Sequence, residues 1–177
     1  MKKVAIIYHS GFGHTELVAQ KVKSGFVKSA VELYNVADII KDETLLEKIS
    51  QADMIVFGSP TYMGSVSADF KKFMDLTSKV WYNQQWKDKL AAGFTCSGGL
   101  NGDKHNTMST LITFACQNSM VWVSQGIFSD GKLNPLGSWS GLFTKAENTT
   151  PDKAFDEANI ATAIAFGKRL DDYISKN

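Results

Sequence analysis

Apolar runs alternate with helical patterns along this chain. Val4 to Tyr8, Ala52 to Phe57, Leu90 to Thr95 and Met120 to Ser124 carry almost no polar side chain, and Val31 to Val36 is a further run of strand length. Short unbroken runs bounded by polar residues and glycine predict strands buried on both faces. Between them, Leu17, Val18, Lys21, Val22, Gly25 and Phe26 recur at helical spacing, as do Phe70, Phe73, Met74 with Leu76 or Thr77, and Thr107, Leu111, Phe114 and Ala115. Glu43 to Ile49 reads as a short helix. A final helix begins at Thr150-Pro151-Asp152, where a cap, a proline suited to the first turn and an acidic residue coincide, and runs to about Ile174.

Five buried strands alternating with five helices predict an α/β fold with a doubly wound parallel sheet, because parallel neighbours require crossovers and crossovers cover both faces. At 177 residues with 44% hydrophobic content the chain suits one domain, 1–177, with a sizeable core. The one long connection, Gln125 to Thr149, carries Phe128, Trp139 and Phe143 among its Gly, Ser, Asn and Pro residues. A loop of that length with aromatics in it points to function.

In such sheets ligands gather at the carboxyl ends of the strands. Strand one ends in Ser10-Gly11-Phe12-Gly13-His14-Thr15, strand three in Gly58-Ser59-Pro60-Thr61-Tyr62-Met63-Gly64, and strand four in Thr95-Cys96-Ser97-Gly98-Gly99-Leu100-Asn101-Gly102-Asp103. The first loop leads straight into a helix, so unpaired amides and the positive end of a helix dipole share one small volume, and an anion belongs there. Charge narrows the partner. Lys plus Arg is 19 against 18 for Asp plus Glu, a net of +1, which gives no field for nucleic acid or an anionic membrane surface. Cys96 and Cys116 lack the spacing of a disulfide framework, no secretory leader is evident, and no apolar run reaches the length of a membrane span, so a cytoplasmic location is expected. His9, His14 and His105 share no ligand spacing, and no metal is expected.

Several uses of this architecture can be tested on the first loop. A P-loop requires GxxxxGK[ST], and no Lys follows these glycines. The dinucleotide fingerprint wants glycine where Glu16 stands, and Glu16 would repel a pyrophosphate. A phospho-acceptor domain needs carboxylates at the ends of strands one and three, where this chain has Tyr8-His9-Ser10 and Gly58-Ser59-Pro60. What survives is a monophosphate held by hydroxyls and backbone amides, with Ser10 and Thr15 as side-chain donors.

Ser10-Gly-Phe-Gly-His-Thr15, Gly58-Ser-Pro-Thr-Tyr-Met-Gly64 and the Cys96-Ser-Gly-Gly segment resemble the three FMN-binding loops of the flavodoxin superfamily. Within it the chain is most similar to the WrbA-type NAD(P)H:quinone oxidoreductases, a likeness that extends through Phe73-Met-Asp-Leu-Thr77, Trp81 and Gly137-Ser138-Trp139. The resemblance implies a flavodoxin-like five-stranded sheet in the order 2-1-3-4-5, FMN as cofactor and NADH or NADPH as electron donor. It places the phosphate on Ser10, Gly11, Phe12, Gly13, His14 and Thr15, and the isoalloxazine along Pro60, Thr61, Tyr62, Met63 and Gly64. It places the pyrimidine end on backbone donors from Cys96, Ser97, Gly98, Gly99, Leu100 and Asn101, which stabilise charge near N1 as an oxyanion hole would. Trp81 would line the slot where nicotinamide and quinone stack, although a helix-end aromatic packed on the sheet fits it equally. Cys96 reads as a packing residue and His9 as packing at the strand end.

The chain departs from the WrbA type in three places. Cys116-Gln117-Asn118 stands where relatives carry histidines near the substrate slot, the Asp38 to Glu43 segment lacks their longer tetramer-building insertion, and Tyr62-Met63 replaces Arg-Phe. A homodimer is compatible with this pattern. The expected function is FMN-mediated electron transfer from NAD(P)H to a small acceptor such as a quinone. The alternative is a flavodoxin-type one-electron carrier, against which the near-neutral charge argues, and a flavin-free binding protein on the same fold is the third reading.

Overall fold

In the computed structural model of the protein, which describes residues 1–176, the central strands are buried on both faces. Asn177, the last residue of the expected 1–177 domain, lies outside the described residues. Strands are β1 (Lys3–Tyr8), β2 (Ala30–Asn35), β3 (Met54–Tyr62), β4 (Ser65–Val66), β5 (Leu90–Ser97), β6 (Val121–Trp122) and β7 (Leu142–Lys145). Helices are α1 (His14–Ser24), α2 (Val36–Lys41), α3 (Leu45–Ile49), α4 (Ala68–Leu76), α5 (Ser78–Tyr82), α6 (Lys104–Gln117) and α7 (Glu157–Ile174), with a 3-10 turn at Pro151–Lys153. The period of two along a strand sorts the core. Ala5, Ile7, Ile55 and Phe57 pack with residues of α2, α3, α4 and α6, whereas Val4, Ile6, Tyr8, Met54 and Val56 pack with α1 and α7. Phe70 and Phe73 of α4 lie in the first of these cores, fully buried against the sheet of their own chain.

The strands pair in the order β2-β1-β3-β5-β6, with β4 on β3 and β7 on β5. All pairings are parallel except the short β3–β4 hairpin. The fifth position of the sheet is divided: β6 pairs with the start of β5 (Leu90↔Val121, Ala91↔Trp122) and β7 with its end (Phe94↔Leu142 to Ser97↔Lys145). Counting β6 and β7 as halves of one position restores the flavodoxin-like order 2-1-3-4-5.

That division corrects the expected strand Met120 to Ser124, which is limited to β6, and the expected loop Gln125 to Thr149, which contains β7 and with it Phe143. The excursion between the halves is closed by Gln125 N–H donating to the Trp139 carbonyl at 3.1 Å. Inside it Asn134, buried at φ 50°, donates through Nδ2 to the carbonyls of Ile127 and Ser138 and accepts the Ser138 amide at Oδ1. A polar hub of this kind can be recognised only once the chain ends meet. Further boundaries differ. β3 runs on through Gly58, Ser59 and Pro60 to Tyr62 instead of ending at Phe57, because β5 pairs with it as far as Cys96. Asn35 accepts the Ala37 amide and starts α2 where strand two was expected to continue to Val36, so the expected helix Glu43 to Ile49 is the second of a pair. The final helix begins at Glu157, because Asp156 accepts the Asn159 amide at 2.7 Å and outcompetes the Thr150 start, which is left as the 3-10 turn.

The crossing of α1 and α7 sets the position of the first loop. A Cβ on Gly167 would lie 1.9 Å from the Val22 carbonyl oxygen and one on Gly25 2.2 Å from that of Ile164, so only glycine allows this approach. Below the crossing, buried Asp171 accepts the amides of Val27 and Lys28, each at 2.8 Å, and the Ser29 hydroxyl at 2.7 Å. Burial pushes the Asp171 carboxyl up, but these hydrogen bonds outweigh it and hold it below its ordinary value. Replacing Asp171 with Ala is expected to cost about 1.5–3 kcal/mol in a urea melt, since it removes charge-assisted hydrogen bonds from partly buried donors. With Asp171→Asn the deficit against wild type is complete above the unfolded carboxyl pKa of about 3.9. It shrinks as pH falls through the lower native value, because protonation removes the wild-type advantage. A deficit independent of pH would contradict this.

Candidate functional site

Loop 1, residues 9–13, joins β1 to α1. Gly13 occupies the N-cap position at φ 84°, where a Cβ would be strained and would sit 2.7 Å from Pro151 Cγ. No side chain caps α1, so its first amides are left for water or a ligand. Ser10 Oγ is buried and has no hydrogen-bond partner, and Thr15 is buried beside it in the first turn. An orphaned hydroxyl at an uncapped helix start is a free donor at an anion site. Glu16, the residue that would repel an anion, is engaged by the Tyr8 hydroxyl, whose pKa burial and the Glu16 carboxylate push up to about 12.

Loop 2 is built as a rigid hairpin. Thr61 pairs with Val66 and Tyr62 with Ser65, and the two residues between, Met63 and Gly64, both have positive φ, 47° and 80°, as a type I′ turn requires. Asn106 Nδ2 on α6 donates to the Gly64 carbonyl at 2.7 Å. Thr61 Oγ1 donates to Thr107 Oγ1 and lies 2.8 Å from Thr95 Oγ1. A chain of buried hydroxyls thus ties loop 2 to β5 and α6. Tyr62 reaches back to loop 1, where the Gly11 amide bonds its phenol oxygen and a Cβ on Gly11 would lie 2.6 Å from it. Burial raises the Tyr62 pKa.

Loop 3, residues 98–103, follows β5 and is held from beneath by Lys104 Nζ, which donates to the carbonyls of Gly99 and Leu100. Cys96 is buried and its thiol is pushed up to about 11 by that burial, a neutral packing group rather than a nucleophile. His9 Nε2 lies 3.3 Å from Asp69 Oδ2, with its ring mostly buried and Nδ1 unpartnered. Burial lowers its pKa against the opposing pull of Asp69.

The loops enclose a cleft of about 630 Å³, within the range of small-molecule sites. Of the expected site residues, Ser10, Phe12, His14, Thr15, Pro60, Thr61, Tyr62, Cys96, Ser97 and Gly98 line it. Gly11, Gly13, Met63, Gly64, Gly99, Leu100 and Asn101 belong to the same loops but stand off the wall. A fourth wall, residues 146–151 after β7, was not foreseen. It is fastened by Ala146 N–H to the Ser97 carbonyl at 3.0 Å and by His14 Nε2 to the Thr149 carbonyl at 2.8 Å. Because a carbonyl only accepts, His14 carries its proton on Nε2 and serves as a strut. In the sequence the segment was marked by the Thr150-Pro151 turn signal and by the end of the Gln125 to Thr149 loop, which was read as functional without being placed in this cleft.

Trp81 does not line the cleft. It borders a separate depression with Lys71, Met74, Phe114, Gln117 and Asn118. Gln117 and Asn118 precede β6, whose pairing with the start of β5 puts them at the amino edge of the sheet. Trp81 and the Cys116-Gln117-Asn118 segment are therefore neighbours, on the opposite edge from the loops. Trp86 is a core residue, donating through Nε1 to Ser50 Oγ at 2.9 Å. Among the described residues no cluster of three or more His, Cys, Asp or Glu could hold a metal, and no helix is long and apolar enough to cross a membrane.

A family model described as NADPH-dependent FMN reductase matches residues 3–134. Flavodoxin FldP of Pseudomonas aeruginosa is 37% identical over 177 residues, covering 96% of this chain and 95% of its own. Quinone-oxidoreductase QR2 of Triphysaria versicolor is 33% identical over 142 residues, 70% of this chain and 69% of its own. Among solved structures, a flavodoxin, WrbA-like protein from Agrobacterium tumefaciens matches with a TM-score of 0.76 and 31% identity, covering 99% of each chain.

If the hydroxyl chain braces loop 2, Thr61→Val is expected to lower stability by about 1–3 kcal/mol, leaving Thr95 and Thr107 short of a buried partner. Denaturant titration measures this, and an unchanged midpoint would mean that the hairpin holds itself.

Proposed function

Because the chain belongs to the NADPH-dependent FMN reductase family of flavodoxin-like proteins, we infer that it holds FMN in this cleft and passes electrons from NAD(P)H to a small acceptor such as a quinone. The observation that carries the reading is the orphaned, buried Ser10 hydroxyl beside the uncapped start of α1. Ser10, Thr15 and the first amides of α1 are the donors a phosphate monoester needs, and no Lys or Arg lines the cleft. Loop 2, pinned through Thr61 and Asn106, and loop 3, pinned through Lys104, form the two walls between which a flat ring system is held. The strut from His14 to Thr149 closes the phosphate end.

Bound FMN supplies a ring that accepts hydride at N5 and spreads the resulting negative charge over its N1 and C2 carbonyl side. The residues of the site contribute position rather than acid or base. Cys96 stays a neutral thiol, and the Tyr62 phenol is already bonded to loop 1. Exposed Phe12 on the rim of the cleft offers an apolar edge for stacking of nicotinamide or quinone. The names of relatives such as quinone-oxidoreductase QR2 support a quinone as acceptor. A flavodoxin-type carrier is the second reading, supported by the near-full-length likeness to flavodoxin FldP.

Steady-state oxidation of NADH and NADPH by FMN-loaded protein separates the two. The oxidoreductase consumes either donor when quinone or ferricyanide is present. A carrier consumes neither until an external reductase is added, and that result would overturn the first reading. Replacing Ser10 and Thr15 together with Ala is expected to weaken FMN binding by about 2–5 kcal/mol, given charge-assisted bonds of about 1.5–3 kcal/mol each. Fluorescence titration with FMN measures it, and unchanged affinity would place the phosphate elsewhere.

A further inference from the structure

Lys104 violates three rules of stability at one position. It is the first residue of α6, where the helix dipole presents its positive end and favours anions. Its side chain is fully buried, which lysine seldom is unless paired. Among the described residues, carboxylates pair with Lys2, His9, Lys28, Lys41, Lys71 and Lys145, and none pairs with Lys104. The ammonium instead turns back beneath loop 3 to the Gly99 and Leu100 carbonyls. Those dipoles accept hydrogen bonds from it without neutralising its charge. Lys145, on the strand beside Ser97, brings no unpaired charge of its own, because Glu147 pairs with it. Burial lowers the Lys104 pKa, against an opposing pull from Cys96.

A cation held against both burial and a helix dipole signals a functional position. Its partner is an anion that arrives at loop 3. Gly98, one residue before the carbonyl that Lys104 holds, lines the cleft. The phosphate already has donors at loop 1, so the unmet charge belongs to the other end of the ligand. We propose that Lys104 is a positioning residue that favours the reduced, anionic form of FMN through loop 3, an inference that rests on the FMN reading above. Hydride transfer takes two electrons and one proton from NAD(P)H, which leaves as NAD(P)+, and the neutral ring gains an N5–H bond and one negative charge. Lys104 makes the cleft bind that charged ring more tightly than the neutral one, which raises the midpoint potential.

The test measures the affinity of the protein for oxidised FMN, for dithionite-reduced FMN and for riboflavin, together with the two-electron midpoint potential. Lys104→Gln removes the charge but keeps N–H donors for the loop carbonyls, Lys104→Met removes both, and Lys104→Arg keeps the charge. The Gln variant is expected to bind oxidised FMN nearly as wild type does and reduced FMN about tenfold more weakly, which lowers the potential by about 30 mV. The Arg variant is expected to hold the wild-type potential. If the Gln variant does not fold, the Met variant serves instead: losing the donors weakens both forms of FMN alike, so a reduced form weakened about tenfold more than the oxidised one still reports the charge. Equal weakening toward oxidised and reduced FMN, with the potential unmoved, would overturn the proposal and leave Lys104 as a brace for loop 3. Weakening toward FMN but not riboflavin would overturn it by assigning the charge to the phosphate. Wild-type protein that binds no FMN would overturn the FMN reading itself.

Discussion

Parallel strand pairing is the constraint on which the rest depends. Because β1, β3 and β5 all run the same way, each must leave the sheet at the same edge and return through a crossover. Three strand ends, with their unpaired amides and carbonyls, are thereby brought side by side. The two hydrophobic clusters on either face of the sheet hold this arrangement, and the alternation of Ala5 and Ile7 with Val4, Ile6 and Tyr8 assigns each side chain to one cluster. A ligand site at the carboxyl edge is a consequence of packing before any chemistry is specified.

What makes the edge a rigid cleft is a small number of polar ties between loops. Thr61 links loop 2 to Thr95 and Thr107, Asn106 links its tip to α6, and His14 links loop 1 to Thr149. Each tie joins segments remote in sequence, so the walls cannot move independently. Such bracing is how a site of backbone donors is kept in place without acid–base residues of its own. Lys104 braces loop 3 locally, from four and five residues away, but it brings an unpaired charge, which a brace alone does not need.

The fold was legible in the chain because its strands are uninterrupted apolar runs and its helices keep their period. The loops were legible because glycines and hydroxyls gather near strand ends, although the second starts later than Gly58-Ser59-Pro60 suggested, since β3 runs through Pro60 to Tyr62. Boundaries were lost where two local signals compete: Asn35 begins a helix inside an expected strand, and Asp156 takes the cap that Thr150 seemed to offer. The divided fifth strand was lost for a different reason. Leu142–Lys145 is a four-residue strand whose only justification is the exposed end of β5, and a ladder partner leaves no periodic trace in so short a segment.

The sequence by itself determined the alternation of elements, the parallel sheet and the chemistry of the first loop, since each follows from local order: apolar runs, helical spacing, and glycine with hydroxyls at a strand end. Only the tertiary structure decided which residues share the cleft. It brought in residues 146–151, sent Trp81 to the opposite edge with Gln117 and Asn118, left Ser10 Oγ without a partner and buried Lys104 beneath loop 3. Proximity between distant segments, and the presence or absence of a partner for a buried polar atom, are properties of the packed chain, and no local pattern encodes them.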